Sequence, residues 1–330
     1  MKIKTIVASA AIAIASSIQA QTTISEADQE TIAQAIEQAD NGKADKAAAT
    51  LEKMCRQYPT EAALRYELGY ALMKDYQFAR AAETFRSLRS EKEMGELPYQ
   101  MEGNALDLAG RRGDAVRAYK EGLKRYPKSG ALLMELGTIR MHEEDYAGAL
   151  EMYAQGIEAA PDYAPNYYRA AWIHFHSDAP WDGIALAEHF IMMEIKGPRV
   201  EEMSRLTFDA YAAMIRTAVA AGGDDNTIAR AATELGYDPK DEETTLTLRV
   251  ISGVKKALHA SMPEEGTDER VWKFEEALAG AGHWDAYVRW LLRKGREKEF
   301  TAWMSLHESM MEAFALWLAD VRGEEQPHHI

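Results

Sequence analysis

Cysteine is almost absent from this 330-residue chain, and Cys55 is its only example. A single cysteine excludes a disulfide within the chain. Cys55 follows Met54 in a predicted helix, where we expect a packed and unreactive thiol; a disulfide to another molecule is the alternative. No cysteine follows the apolar residues near the start, so the sequence does not indicate a bacterial lipid anchor.

Positive charge is also scarce. The chain has 38 Lys and Arg residues against 53 Asp and Glu residues, which gives a formal net charge of −15. This balance argues against nucleic acid and anionic membranes as main partners. Solubility is the simplest interpretation of the excess acid, and a basic protein partner is the more specific one.

A long hydrophobic run is missing, although residues 6–18 form a short apolar one. It follows Lys2 and Lys4 and ends near Ala20, as in a signal peptide, and it is too short to span a membrane comfortably. We therefore predict a signal peptide over residues 1–20 and no integral membrane segment in the mature chain. Removing two Lys moves the net charge from −15 to −17. An exported protein follows, periplasmic in the simplest case, with secretion from the cell as the alternative.

Motifs for catalysis and metal binding are missing as well. The sequence has no P-loop, no G-x-S-x-G, no H-E-x-x-H and no C-x-x-C. His174 and His176 are two positions apart, so on a helix they point to different faces and are poor joint metal ligands. We therefore predict no catalytic residues, no metal site and no cofactor.

Alternating Val, Ile and Thr runs with hairpin turns are lacking too, which argues against a sheet, while apolar residues recur with helical spacing. What the chain does contain is a pattern that repeats every 34 residues. The columns are Ala35, Gly69, Gly103, Gly137 and Ala171; Ala47, Ala81, Ala115 and Ala149; Leu51, Phe85, Tyr119 and Tyr153; and Pro59, Pro127 and Pro161.

These columns have a direct physical meaning. Two antiparallel helices pack closest where one presents Gly or Ala, as at Gly69 and Ala81. Gly within a helix costs ~1 kcal/mol relative to Ala, so its recurrence implies a packing reason. Bulky residues such as Phe85 would fill the space beside these contacts, and each Pro would separate one helix pair from the next.

The repeat resembles the tetratricopeptide repeat family over about residues 24–178. Residues 130–161 match best, with Leu136 and Gly137 in the first helix and Ala149, Tyr153 and Pro161 in and after the second. The resemblance implies an all-α fold, a right-handed superhelical solenoid of antiparallel helix pairs. It also implies that the first helix of each pair lines a concave groove in which partners bind as peptides or helices.

The pattern divides the chain into three parts. We predict a signal peptide over residues 1–20, a repeat array over residues 21–198 with four clear units and a modified fifth, and an irregular helical region over residues 199–330. A stripe on a predicted last helix over residues 297–321 is expected to pack into the core. Its members are Phe300, Trp303, Met310, Met311, Phe314 and Trp317. Dimerisation through this helix is the alternative.

Helix phase within the repeats predicts the partner-binding residues of the groove. They are Tyr66, Tyr70, Lys74, Gln100, Asn104, Asp107, Thr138, His142, Tyr168, Trp172 and His176. Aromatic residues beside amide groups suit extended peptides. The alternative is that Tyr66, Tyr70 and Trp172 simply pack between neighbouring helices.

Together these features predict a protein without catalytic activity that binds another protein or peptide in its groove. It would serve as an adaptor or assembly scaffold of the cell envelope. Two alternatives remain open, an envelope enzyme with its site in residues 199–330 and a structural protein that self-associates through its last helix. A pocket of convergent His and carboxylates in the C-terminal half would favour the enzyme.

Overall fold

A computed structural model describes residues 24–223, 226–261 and 269–323. The predicted signal peptide, residues 1–20, lies outside this part of the chain. The described residues form helices and turns without a strand, which confirms the predicted all-α class. They group into two compact units, one up to Ala160 and one from Pro161 onward. The predicted end of the repeat array at residue 198 stays a prediction.

The first unit consists of helix hairpins that follow one another along the chain. Its helices are α1 (Glu26–Asp40), α2 (Ala44–Gln57), α3 (Ala62–Lys74), α4 (Phe78–Ser87), α5 (Leu97–Leu108), α6 (Arg112–Arg125), α7 (Gly130–His142) and α8 (Tyr146–Ala159). Each odd-numbered helix pairs with the next, and each pair packs on the following pair. A short 3-10 turn, Lys92–Met94, precedes α5.

Proline ends the pairs where the sequence predicts. Helices α2, α6 and α8 each stop two residues before Pro59, Pro127 and Pro161. Starts are fixed by capping side chains in the fourth pair, where the Ser129 hydroxyl accepts from the amide of Leu132 at 3.2 Å. Proline and capping side chains therefore fix several of the boundaries that set the repeat length.

Close packing within a hairpin depends on a small residue facing a large one. Gly69 on α3 faces Phe85 on α4, and a Cβ at residue 69 would lie 2.7 Å from the Phe85 ring. Gly103 faces Tyr119 and Gly137 faces Tyr153 in the next two pairs. The small and large columns therefore meet in space, as predicted from their spacing.

The turn inside each hairpin uses a left-handed residue at the same repeat position. Its φ is +77° at Gly42, +61° at Tyr76, +76° at Gly110 and +61° at Glu144. These positions are 34 residues apart. The turn thus demands a conformation that is easy for Gly and strained for the two other side chains.

First helices also touch one another across neighbouring pairs. Helix α1 contacts α3, and α5 contacts α7. The side chains that α1 and α3, and likewise α5 and α7, direct away from their partner helices therefore lie side by side, and we call the surface of the first helices the first-helix face.

The second unit is helical but less regular. Its helices are α9 (Ala164–Phe175), α10 (Ile184–Glu194), α11 (Pro198–Ala221), α12 (Thr227–Glu234), α13 (Glu242–Thr245), α14 (Leu248–Ser261), α15 (Glu269–Gly280), α16 (Trp284–Leu291), α17 (Glu297–Met304) and α18 (Glu308–Val321). A 3-10 turn, Pro180–Gly183, separates α9 from α10 within the predicted modified fifth unit. No helix within the described ranges is both long enough and apolar enough to cross a membrane.

The predicted single helix over residues 297–321 is wrong, because the chain breaks between α17 and α18. The amides of Leu306 and His307 bond three residues back, to Trp303 and Met304, which tightens the helix into a turn. The predicted stripe is consequently split. Phe300, Met311 and Phe314 are buried, Trp303 and Trp317 are half-buried, and Met310 is exposed.

Candidate functional site

The first-helix face begins with tyrosines that are buried. Tyr66 is only 1% exposed, and its ring lies 5.7 Å from that of Phe85. The expectation that Tyr66 is exposed in the groove is therefore wrong. Tyr66 instead packs between neighbouring helices, which was the alternative. Tyr70 is 7% exposed and donates to Asp40 at 3.3 Å. Burial raises the pKa of both phenols, so both stay neutral hydrogen-bond donors.

Lys74 places a cation at the end of α3. Its Nζ lies 3.3 Å from the Asp40 carboxylate and 5.1 Å from the centre of the Tyr70 ring. Burial alone would lower the pKa of Lys74, but bonds to Tyr70 and Asp40 outweigh it and raise that pKa. Lys74 therefore stays charged and orders this end of the face.

Glu67 lies between these groups and was not predicted as a site residue. Its side chain is buried on α3, and burial raises its pKa to about 7, with a further contribution from the charge of Asp40. The sequence around Glu67 indicates a buried carboxylate in one way, because this glutamate stands within the apolar run of a first helix. A buried carboxyl group of this kind titrates near neutral pH.

The middle of the face is a hydrogen-bonded polar group that joins the third and fourth pairs. Gln100 and Asn104 on α5 donate to the same oxygen of Glu135 on α7, at 2.9 and 3.2 Å. Tyr119 donates to Asn104 at 2.6 Å. Gln100 is buried, whereas Asn104 and Glu135 are half-buried. These bonds hold the amide and carboxylate in fixed positions at the surface.

The remaining predicted residues of the first unit are accessible. Asp107 is half-buried and pairs with Arg112 at 3.2 Å. Thr138 is half-buried and donates to the carbonyl of Met134 at 3.0 Å. His142 is exposed at the end of α7. The open part of the face therefore runs from Lys74 through Asn104 to His142.

The second unit carries the last three predicted residues. Tyr168 is buried and donates to Glu202 at 2.8 Å, and burial together with Glu202 raises its pKa to about 12. Trp172 is half-buried and stacks on the exposed His176, with 4.0 Å between ring centres. His176 Nδ1 lies 2.7 Å from the Trp172 carbonyl oxygen. Of these three, Trp172 and His176 present accessible surface.

A second polar cluster, which sequence reasoning missed, lies inside the second unit. The Lys255 ammonium on α14 lies 2.9 Å from Glu188 on α10 and also bonds Glu275 on α15. Tyr211 and Tyr287 donate to Glu188 at 3.1 and 3.2 Å. Burial works to lower the pKa of Lys255, but the nearby negative groups, Glu188 foremost, hold it well above its usual range.

His259 extends this cluster toward the surface. Its two ring nitrogens lie 2.8 Å from Glu275 and 2.9 Å from Glu276, and its ring stacks on Trp272. His and carboxylates therefore converge in the C-terminal half, but they bond one another in a network that runs from the buried Lys255 to the exposed Glu276. Across the described ranges, no group of three or more His, Cys, Asp or Glu residues is arranged to hold a metal ion.

Comparison with known proteins identifies the repeats. Residues 32–93 and 101–164 match the family model described as tetratricopeptide repeat. No curated protein matches the chain. Repeats of this type are typical of interaction scaffolds that bind other proteins, and this general role fits the present chain.

Two solved structures resemble the chain at low identity. One is titled "Crystal structure of MamA", is 15% identical, and covers 48% of this chain and 93% of that one, with a TM-score of 0.38. The other is titled "Structure of Naa15/Naa10 bound to HypK-THB", is 14% identical, and covers 88% of this chain and 43% of that one, with a TM-score of 0.34. Residues 32–93 and 101–164, with the helix hairpins that they form, are therefore tetratricopeptide repeats.

Proposed function

We propose that the first-helix face binds a basic segment of a partner protein, and that the protein serves as an adaptor or assembly scaffold of the cell envelope. The observation that carries the proposal is the fixed polar group on α5 and α7, in which Gln100 and Asn104 converge on Glu135. Groups held in place before binding lose less conformational freedom when the partner arrives, which favours affinity.

Charge supports a basic partner. Glu135 and Asp107 stand on the open part of the face; Lys74 there is paired with Asp40, Arg112 pairs with Asp107, and the whole chain carries a net charge of −15. Complementary potentials speed association and align the partner. The envelope location rests on the predicted signal peptide at residues 1–20.

Site-specific photo-crosslinking tests this proposal. A photoreactive amino acid is placed at Asp107 or His142 on first helices, and at the exposed Lys124 or Glu151 on second helices as matched controls. Each variant is expressed in the cells from which the protein comes, and the cells are irradiated. The crosslinked peptides are then identified by mass spectrometry.

We expect a partner protein crosslinked from residues 107 and 142 and not from residues 124 and 151, through a segment rich in Lys and Arg. A Glu135→Gln change should weaken this crosslinking, because it removes the charge that the segment faces. Crosslinks of equal yield from both sets of helices, or an acidic or apolar crosslinked segment, would contradict the proposal.

A further inference from the structure

A cavity of about 350 Å³ is lined by the turns of the first two hairpins. One turn joins α1 to α2 and the other joins α3 to α4. The cavity is half open to solvent, and its volume lies at the lower end of the range of small-ligand sites. The cavity shares Lys74 with one end of the first-helix face, but none of its lining residues lies on α5 or α7.

The lining of this cavity is acidic. Asp40, Asp45 and Asp75 contribute three negative charges and Lys74 one positive charge, which leaves −2. Lys74 is already paired with Asp40. Asp45 is exposed, and Asp75 accepts from Gln77 at 2.5 Å. The cavity therefore presents carboxylates that a positively charged group would complement.

An aromatic ring stands at the cavity with its surface open to solvent. Tyr76 is 81% exposed and lines the cavity, and it meets Phe78 edge to face at 5.9 Å. Its backbone is left-handed, with φ of +61°, at the repeat position that Gly42 and Gly110 occupy in the first and third pairs. A bulky side chain therefore stands at a turn position where glycine would relieve backbone strain, as Glu144 does in the fourth pair.

We propose that this cavity binds a cationic side chain of a partner protein, with arginine as its best occupant. The carboxylates would face the guanidinium, and the Tyr76 ring would stack on its plane. A planar cation gains from both contacts at once, since it pairs with carboxylates and attracts the face of an aromatic ring. This site is independent of binding along α5 and α7.

Short peptides with one changed residue test the site. The probes are Ac-Gly-Ser-Arg-Ser-Gly-amide and the same peptide with citrulline, which keeps the shape of arginine without its charge. Binding to the mature full chain is followed by nuclear magnetic resonance, using the shifts of amides in the two turns. We expect the arginine peptide to shift the amides of residues 42, 45, 75 and 76, with binding weakened by added salt.

Variants separate this site from the face on α5 and α7. Tyr76→Gly should weaken binding of the arginine peptide about fivefold, the change expected from loss of one cation–π contact. This variant should remain folded because glycine stands at the same turn position elsewhere in the array. Asp45→Asn should also weaken binding, whereas Tyr146→Ala and Glu144→Gln, which change the turn of the fourth pair, should not.

Equal affinity for the citrulline peptide would overturn the proposal, and so would unchanged binding by both Tyr76→Gly and Asp45→Asn. If no crosslinks form from residues 107 and 142, the arginine peptide can still bind the cavity, because Tyr76 and Asp45 do not lie on α5 or α7. The two hypotheses can therefore fail separately.

Discussion

Single buried carboxyl groups make the stability of the first unit depend on pH. Glu67 is 8% exposed, and burial raises its pKa from the usual 4.5 to about 7. Between these two values the folded chain binds more protons than the unfolded chain. The contribution of Glu67 to the free energy of unfolding therefore falls as the pH rises through this window. Above pH 7 the full cost of burying its charge applies.

Glu67→Gln should remove this dependence. We expect the variant to be more stable than the wild type above pH 7, by up to about 3 kcal/mol, with the difference shrinking toward pH 4.5. Urea unfolding at several pH values measures it, and Glu83→Gln, at an exposed position on α4, controls for the loss of one charge. Profiles of the two variants that coincide across this range would contradict the assignment.

Helix pairs are the elements that repeat, and the closest approach of the two helices in a pair limits which residues fit between them. Gly69, Gly103 and Gly137 each lie against an aromatic ring of the partner helix. The rings are fully buried or nearly so, and a Cβ would require them to move. Close packing therefore explains why a residue with low helix propensity recurs in the middle of three helices.

Gly69→Ala should lower the free energy of unfolding by about 1 to 3 kcal/mol, because the added methyl overlaps the ring of Phe85. The matched change is Gly113→Ala on α6, where a Cβ would meet no atom within 4 Å. There we expect no loss and a gain of up to about 1 kcal/mol from helix propensity. Chemical unfolding measures the free energy of unfolding of both variants. An equal loss of stability in both would refute the packing explanation.

At the scale of the whole molecule, the two compact units are stabilised by different kinds of interior. Both units have apolar cores; the first repeats the contact of a small residue with a large one, and the second also encloses a lysine between two carboxylates. Lys255, Glu188 and Glu275 are all buried, and Lys255 on α14 bonds both Glu188 on α10 and Glu275 on α15. Removing one partner of such a group leaves uncompensated charge away from water.

Lys255→Met should therefore destabilise the second unit by about 3 to 5 kcal/mol. Hydrogen exchange resolved by peptide should show lost protection in α10, α14 and α15, with peptides from α1–α8 for comparison. Lys256→Met, at the exposed neighbouring position, is the control. A triple variant that adds Glu188→Gln and Glu275→Gln should regain part of the loss. Normal protection in Lys255→Met would show that the network does not stabilise the unit.

Local patterns in the sequence determined the repeats and the helix boundaries around them. The 34-residue spacing, the facing of Gly69 on Phe85 and the stops before Pro59, Pro127 and Pro161 all follow from short-range rules for turns, caps and helix faces. The open residues Asn104, Thr138 and His142 were also found from helix phase. Whether they bind a partner stays a prediction.

Tertiary structure alone decided burial and long-range pairing. Helix phase gives the direction of a side chain but not how closely the next helix covers it, which is why Tyr66 and Tyr168 are buried. The Lys255 network joins residues up to 99 positions apart, as in the bond from Tyr287 to Glu188, and no spacing in the sequence signals such a contact. The break before α18 falls where the sequence has neither Gly nor Pro to signal it. Contacts between distant segments are set by how helices stack, so only the folded chain reveals them.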